Sequence, residues 1–453
     1  MTAYADAVLP DAVSRNPAAD SWLIFCDLSP GLGSTQVQTW LQAATAAVTK
    51  LTTTRQNEVA VATCTSALGQ PIFAKAGQLG VPAHLASPPP IGTGAIEPHD
   101  ALFYVFSTSD AVVAQFLRDL DATRPAGLTT ISFERGYQRV DKREVFGQRD
   151  GLRNIPRDQR AAVAFVGNDQ PDEPDWCRGG SYLAYLKIKQ DMTAWTALAA
   201  EQQAEALGRR LDGSRLDLPP GTSSDTESVF TDDVTVPPCS HIRKAGPRGP
   251  LQDPVRIFRR GTPYVEAAGG ALDQGLHFVS YQADLEAFDT MLNRWMFNSG
   301  FPTPTAGQDA LFDPSRHLAT IIKGGFYFAV PHDDRFLGAG LFDPPDTTSH
   351  LVITVAVTDP SGQADRTASL EGATFEITNN QNTAVIANGL QTDAAGRVVS
   401  GPLPTNVPLI VTEVQAPPSS ALAVPQTQTV SLTCDPQRLV FTSTRSGTPG
   451  QYA

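Results

Sequence analysis

CSHIRKAGPRGPLQDPVRIFRRGTPY, residues 239–264, sets one histidine a few positions ahead of a run of arginines. A neutral imidazole can ligate iron, and a guanidinium keeps its charge at any working pH and can stabilise an anion on a bound metal. A histidine followed by so dense a run of arginines makes His241 and Arg259 the first pair to consider. In isolation, a half-buried histidine beside a solvated basic strand would give the same letters. The rest of the chain has to decide between the two.

A second stretch shifts the balance. Residues 146–154 read FGQRDGLRN, with glycines bracketing Asp150, as expected where the backbone turns tightly and brings a carboxylate up to a flat ligand. Gly-Gln-Arg-Asp-Gly, then His-Ile-Arg-Lys, then Ile-Phe-Arg-Arg-Gly-Thr-Pro-Tyr, in that order, closely resembles the dye-decolorizing peroxidase family. The linking segments GGSYLAYLKIKQDMTAW (179–195) and GLHFVSYQAD (275–284) extend the resemblance over roughly three quarters of the chain. The resemblance implies an α+β fold, a dimeric ferredoxin-like α+β barrel of two halves, each an antiparallel sheet with helices. It also implies haem b (iron protoporphyrin IX) as cofactor, with hydrogen peroxide and aromatic one-electron donors such as dyes and phenols as substrates.

Carried over position by position, His241 is the axial haem ligand and Asp309, in AGQDALFD, the carboxylate that takes its other ring proton. Asp150 would move a proton between the two oxygens of peroxide, and Arg259 would stabilise the departing hydroxide, giving a ferryl porphyrin-radical state. Arg260 is the rival for Arg259. Leu276 and Phe278 would form the apolar distal wall, and Arg243 and Arg248 would meet the haem propionates. The chain departs from the family pattern at Val265, where glycine is common, and at Gly246, where asparagine is common. Donor oxidation at the haem edge and at a surface radical on Trp176, Trp195, Trp295 or Tyr281 both stay open.

Composition bounds the partners. The 453 residues are 41% hydrophobic, enough for more than one core, and the net charge of −13 argues against a general nucleic-acid or anionic-membrane binder. Five cysteines without Cys-x-x-Cys spacing indicate neither a zinc site nor a disulfide framework. With no apolar stretch of spanning length and no signal-like start, a cytoplasmic protein without a membrane span is expected. The C-terminal domain makes an extracellular or surface-associated location the alternative.

Along the chain, the apolar pattern predicts strands at 22–28, 59–64, 101–106 and 128–133 and helices at 36–51 and 110–121. A second unit is predicted with strands at 161–167, 181–189, 275–281 and 325–330 and helices at 191–207 and 284–296. The boundaries expected are an N-terminal ferredoxin-like half at 1–155, a haem-binding half at 156–342, a linker at 343–350 and a small all-β sandwich at 351–453. Six strands with alternating pattern are predicted in that last part. Its segments GATFEI, TDAAGR and VTEVQAPP resemble the prealbumin-like repeat domains of bacterial adhesins and pilins. That family often closes an isopeptide bond between a lysine and an asparagine beside a catalytic acid. Glu413 matches the acid, whereas Val357 and Ser443 stand where the lysine and asparagine would be, so a plain spacer or docking module is expected, with its docking partner unnamed. Two rivals to the peroxidase reading remain: a haem-binding or haem-delivery protein on the same fold, and an adhesion or structural protein working through its β domain.

Overall fold

The computed structural model describes residues 20–446 apart from 57–58, 78–79, 140, 142, 150–154, 168–169, 171–172, 222–235, 248–254, 343–347, 366–367, 380–383, 406 and 433–436. The chain divides into two compact units, residues 1–167 with 179–342, and residues 168–178 with 343–453. The second unit thus takes in a short segment, 168–178, that the sequence reading assigned to the haem-binding half.

In the first unit the chain runs β1 (Asp20–Leu28), α1 (Ser34–Thr53), β2 (Ala62–Gly69), β3 (Ala101–Ser107), α2 (Asp110–Asp121), β4 (Leu128–Gly136). It then repeats the pattern with β5 (Ser181–Gln190), α3 (Ala200–Leu207), α4 (His241–Ala245), β6 (Phe258–Arg259), β7 (Thr262–Ala268), β8 (Ala271–Gln282), α5 (Leu285–Asp289) and β9 (Ala319–Ala329). The helices form because apolar residues recur at three- and four-residue spacing. On α1, Val37, Trp40, Leu41, Ala44, Ala47 and Leu51 are all buried, and on α2 Val113, Phe116 and Leu120 are. Each large side chain so covered contributes about 1.5–3 kcal/mol.

The strands join one sheet in the order β7-β8-β5-β9-β2-β3-β1-β4, with neighbours on this path antiparallel. Numbered within each half, both sets of four strands stand in the order 2-3-1-4. The halves meet where Tyr327, Phe328 and Ala329 of β9 pair with Gly69, Leu68 and Ala67 of β2. At the other ends the sheet curls until β4 approaches β7. There the Tyr137 amide donates to the Pro263 carbonyl at 2.9 Å, and Ser21 and Thr262 share a hydroxyl hydrogen bond of 2.6 Å. A side chain at Gly136 would collide with the Thr262 hydroxyl, so the closure requires glycine there. Inside the curl lie Leu23, Phe25, Leu102, Tyr104, Leu183, Tyr185, Val279, Tyr281 and Tyr327.

Three local expectations are corrected. Residues 161–167 were expected as a strand, but Arg157–Ala164 is an α-helix, and only from Phe165 does the backbone extend. The run is of strand length yet alanine-rich, and it follows a proline, which suits a helix start. The helix expected over 191–207 is interrupted: Asp191 caps a first turn, and Gln203 then captures the carbonyls of Trp195 and Leu198 before α3 proceeds. The helix expected over 284–296 begins as α5 and continues as a π-helical segment, Thr290–Met296.

In the second unit, β10 (Leu351–Thr358), β11 (Thr374–Asn379), β12 (Val385–Gln391), β13 (Arg397–Val399), β14 (Pro408–Gln415), β15 (Ser420–Ala421), β16 (Thr427–Ser431) and β17 (Gln437–Arg445) form two four-stranded sheets. Their orders are β13-β10-β17-β15 and β12-β11-β14-β16. One apolar core, including Ile353, Val355, Phe375, Ile377, Val411 and Phe441, is shared by both sheets. Val357 and Ser443 are paired in register on the parallel strands β10 and β17, and Ser443 donates to the buried Glu413 carboxylate at 3.2 Å. The three positions are therefore brought together, but a valine and a hydroxyl offer neither amine nor carboxamide.

Burial raises the Glu413 pKa, while the Ala423 amide and the Ser443 hydroxyl oppose the shift. The folded state then holds a proton that the unfolded state has released. This contribution to stability is complete below the unfolded carboxylate pKa and is lost as pH rises through the folded one. Glu413→Gln should therefore raise the melting temperature of the full chain at pH 8, and the gain should vanish or reverse near pH 4. Each unit of pKa shift is worth about 1.4 kcal/mol. A variant with the same pH dependence of melting as wild type would contradict this account.

Candidate functional site

His241 opens α4, with the Ser240 carbonyl receiving the Arg243 and Lys244 amides to close the turn. Its Nδ1 lies 2.8 Å from Oδ2 of Asp309, a residue with no exposed surface. Asp309 is itself fixed: Oδ1 accepts the Leu311 amide, its own amide donates to the Met296 carbonyl, and the Ala310 amide donates to the Cys239 carbonyl. Nδ1–H therefore donates to the carboxylate, and Nε2 carries the lone pair that a metal needs. The side chain is 29% exposed, so a ligand can reach it.

Lys244, fully buried, holds α4 against the end of the π-helical segment by donating to the Trp295 carbonyl at 3.1 Å and the Asn298 carbonyl at 2.6 Å. Burial lowers its pKa, and the charges of Asp309 and Cys239 oppose that. Arg243 is also buried and donates to the Val236 carbonyl, so its guanidinium braces the segment leading into α4. It was expected at a propionate. Arg248 lies outside the described residues.

The other wall comes from β8. Val279 and Tyr281 belong to the interior core, so Leu276, Phe278 and Ser280 take the opposite face. Leu276 and Phe278 are half-buried there, and the Phe278 ring lies 6.4 Å from Phe288, which meets Phe326 edge-on at 5.4 Å. Strand β6 pairs with β8 so that Arg259 opposes Ser280 and Phe258 opposes Tyr281. Residues directly opposite share a face. Phe258 joins the core, while Arg259 stands exposed on the side of Leu276 and Phe278. Arg260 is turned inward, its guanidinium 5.1 Å over the core ring of Phe106.

Asp150 lies outside the described residues, but the chain just before it is anchored. Phe146 stacks on Trp195 with centroids 4.3 Å apart, the Trp195 indole N–H donates to the Phe146 carbonyl, and the Arg149 amide donates to the Leu211 carbonyl. The residues missed by the sequence reading are Lys244, Phe288 and Ser280. A lysine in a helical turn looks solvated until its burial is known, so no sequence signal marked it.

The donor set fits a haem. It combines a single imidazole whose tautomer is fixed by a buried carboxylate, an apolar aromatic wall and one displayed guanidinium. Among the described residues no cluster of three or more histidine, cysteine, aspartate or glutamate side chains could hold a bare metal ion. Asp309→Asn should leave the fold intact and weaken haem binding by about 10- to 100-fold in a haem titration, because the imidazole loses the partner that orients it. Unchanged affinity would remove Asp309 from the site.

An α+β body with one oriented imidazole could hold a haem iron, and comparison with known proteins narrows the class. Residues 141–334 match the sequence model of the family described as Dyp-type peroxidase, C-terminal. The dye-decolorizing peroxidase of Rhodococcus erythropolis is 26% identical over 58% of this chain and 67% of its own length. That of Thermobifida fusca is 27% identical over 58% of this chain and 63% of its own. An Escherichia coli deferrochelatase is 29% identical over 53% of this chain and 58% of its own. The matched region thus spans about two thirds or less of these relatives. In fold, the DyP-type peroxidase of Cellulomonas bogoriensis superposes with a TM-score of 0.61 at 22% identity, covering 74% of this chain and 96% of that one. A Rhodococcus jostii DypB variant in complex with haem gives 0.55 at 21% identity, covering 72% and 95%. The family model and the relatives show a sequence similarity to DyP-type peroxidases, and the solved structures show a shared fold.

Proposed function

We propose that this protein is a haem peroxidase of the dye-decolorizing type, reducing hydrogen peroxide and oxidising dyes, phenols and other aromatic one-electron donors. Haem b is the cofactor, and the two halves with strand order 2-3-1-4 are the ferredoxin-like units of a dimeric α+β barrel. The prealbumin-like second unit serves as spacer or docking module. The observation that carries the reading is Arg259, displayed beside Leu276 and Phe278 while its half-buried neighbour Arg260 turns toward Phe106. Simple haem carriage needs no such cation.

The haem supplies the redox iron that peroxide oxidises and that aromatic donors reduce one electron at a time. His241 would hold it through Nε2, with Asp309 keeping the ring in the ligating tautomer. Asp150 takes a proton from one peroxide oxygen and delivers it to the other. Arg259 would stabilise the negative charge on the departing hydroxide, on the face that Leu276 and Phe278 line.

Purified protein loaded with haem should show a Soret band and oxidise a dye only when peroxide is present. A Soret band without turnover would favour haem handling, the activity the deferrochelatase name suggests for that relative. No haem uptake would leave the adhesion reading.

A further inference from the structure

We propose that Lys244 is a positioning residue that tunes the haem ligand: its buried positive charge offsets the charge of Asp309 and limits how much electron density that carboxylate sends through His241 to the iron. The inference rests on the reading that His241 holds a haem. Lys244 stands three residues after His241 in α4, a spacing that puts both on one face of the turn, and it has no exposed surface. Its ammonium donates to the Trp295 carbonyl at 3.1 Å and to the Asn298 carbonyl at 2.6 Å. The Asp309 amide takes the Met296 carbonyl at 2.9 Å, one peptide on from Trp295. The two buried charges therefore hang on consecutive carbonyls of one segment, and the Asp309 carboxylate meets His241 Nδ1 at 2.8 Å.

A clamp on two carbonyls does not need a charge. A neutral amide could donate to them, and burying an ammonium costs far more than burying an amide unless an opposite charge lies close by. Both contacts of Lys244 are to carbonyls, so no carboxylate cancels its charge in place. Among the ionisable groups that act on it, Asp309 comes first, ahead of Cys239. The surroundings are apolar, with Trp295 and Met296 buried and the Trp295 ring stacked on Phe301 at 5.3 Å, so the attraction is weakly screened.

The consequence for the ligand follows from charge alone. A carboxylate that draws on the Nδ1 proton makes the imidazole a stronger donor at Nε2, which favours ferric over ferrous iron. A fixed cation beside the carboxylate weakens that draw, and its own field also favours the form of the iron with less positive charge. Removing the cation shifts both effects the same way, toward ferric iron.

The test compares haem-loaded full-length wild type with Lys244→Gln, Lys244→Met and Lys244→Arg. The readouts are the ferric/ferrous midpoint from a spectroelectrochemical titration and the iron–histidine stretch of the ferrous protein from resonance Raman. In Lys244→Gln and Lys244→Met the ferrous-to-ferric ratio at a fixed potential should fall about tenfold, which is about 59 mV for one electron, and the stretch should rise. Lys244→Arg keeps the charge and should stay near wild type. In an Asp309→Asn background, Lys244→Gln should leave the stretch where Asp309→Asn alone puts it, because the carboxylate that the cation offsets is gone. Should Lys244→Met not fold, Lys244→Gln, which keeps a donor for a carbonyl, carries the test.

An unmoved midpoint and stretch in Lys244→Gln would overturn the proposal, as would loss of haem from Lys244→Gln with the fold kept, since either result leaves only a clamp. Dye oxidation is not a readout here, so the two readings fail separately. A lowered midpoint in a protein that oxidises no dye leaves this inference standing and removes the peroxidase reading, and an unmoved midpoint in an active peroxidase does the reverse. Wild type that takes up no haem overturns both.

Discussion

His241→Ala should produce a folded protein that no longer retains haem. The substitution removes the donor atom itself, so the loss should exceed the roughly 10- to 100-fold expected when only a partner of the ligand is changed. It also strands Asp309, whose carboxylate has no exposed surface and would face an empty space where the imidazole N–H had been. An ionised buried carboxylate deprived of its donor costs about 1–3 kcal/mol or more, so a modest fall in melting temperature should accompany the loss of haem. Added imidazole should restore part of the Soret band, because a free ring can occupy the vacated volume and donate to the same carboxylate. Unchanged haem content and an unchanged Soret band after His241→Ala would show that the iron is held elsewhere.

The next largest effects should come from Asp150→Asn and Arg259→Leu, which are expected to differ in kind. Loss of a general acid-base group typically costs about 100- to 10,000-fold and loss of one electrostatic stabiliser about 100- to 1,000-fold. The ranges overlap, so magnitude does not assign the roles. The pH dependence does. A guanidinium stays protonated across the working range, so Arg259→Leu should slow the reaction of peroxide with the haem at every pH and keep the titration, shifted at most. Asp150→Asn keeps the shape and abolishes the titrating group, so the same rate should lose that pH dependence. The carboxylate must be ionised to accept peroxide's proton, hence the wild-type rate should fall as pH drops through its pKa. Stopped-flow mixing with peroxide across pH measures both. If Asp150→Asn reacts at the wild-type rate with the wild-type pH profile, proton transfer belongs to another group.

The residues proposed for the site stood out in short motifs because their types are themselves restrictive. One histidine, an aspartate between glycines and an Arg-Arg pair leave few uses in common, and their order along the chain matches one family. Elements with strong local periodicity were legible too: α2 occupies the residues its apolar spacing predicts, and β10 does the same for alternation. Residues 161–167 failed this reading because a short apolar run carries no period of its own, and alanine content with a preceding proline decided for a helix.

Contacts between distant parts of the chain could not be read this way. Asp309 meets His241 across 68 residues and Tyr185 meets His277 across 92, distances over which no local pattern operates. Arg259 and Arg260 are equivalent as letters. Their separation follows from the pairing of β6 with β8, since neighbouring residues on a strand point to opposite faces and register decides which face is the site. Arg243 and Lys244 were ordinary basic residues until the fold buried both, one against the Val236 carbonyl and the other against Trp295 and Asn298. The sequence by itself determined which chemical groups this protein possesses and which local elements carry them. Sheet register and burial decided which of those groups face the proposed site and which are buried in the body of the protein, because both depend on strands that the sequence separates and the fold sets side by side.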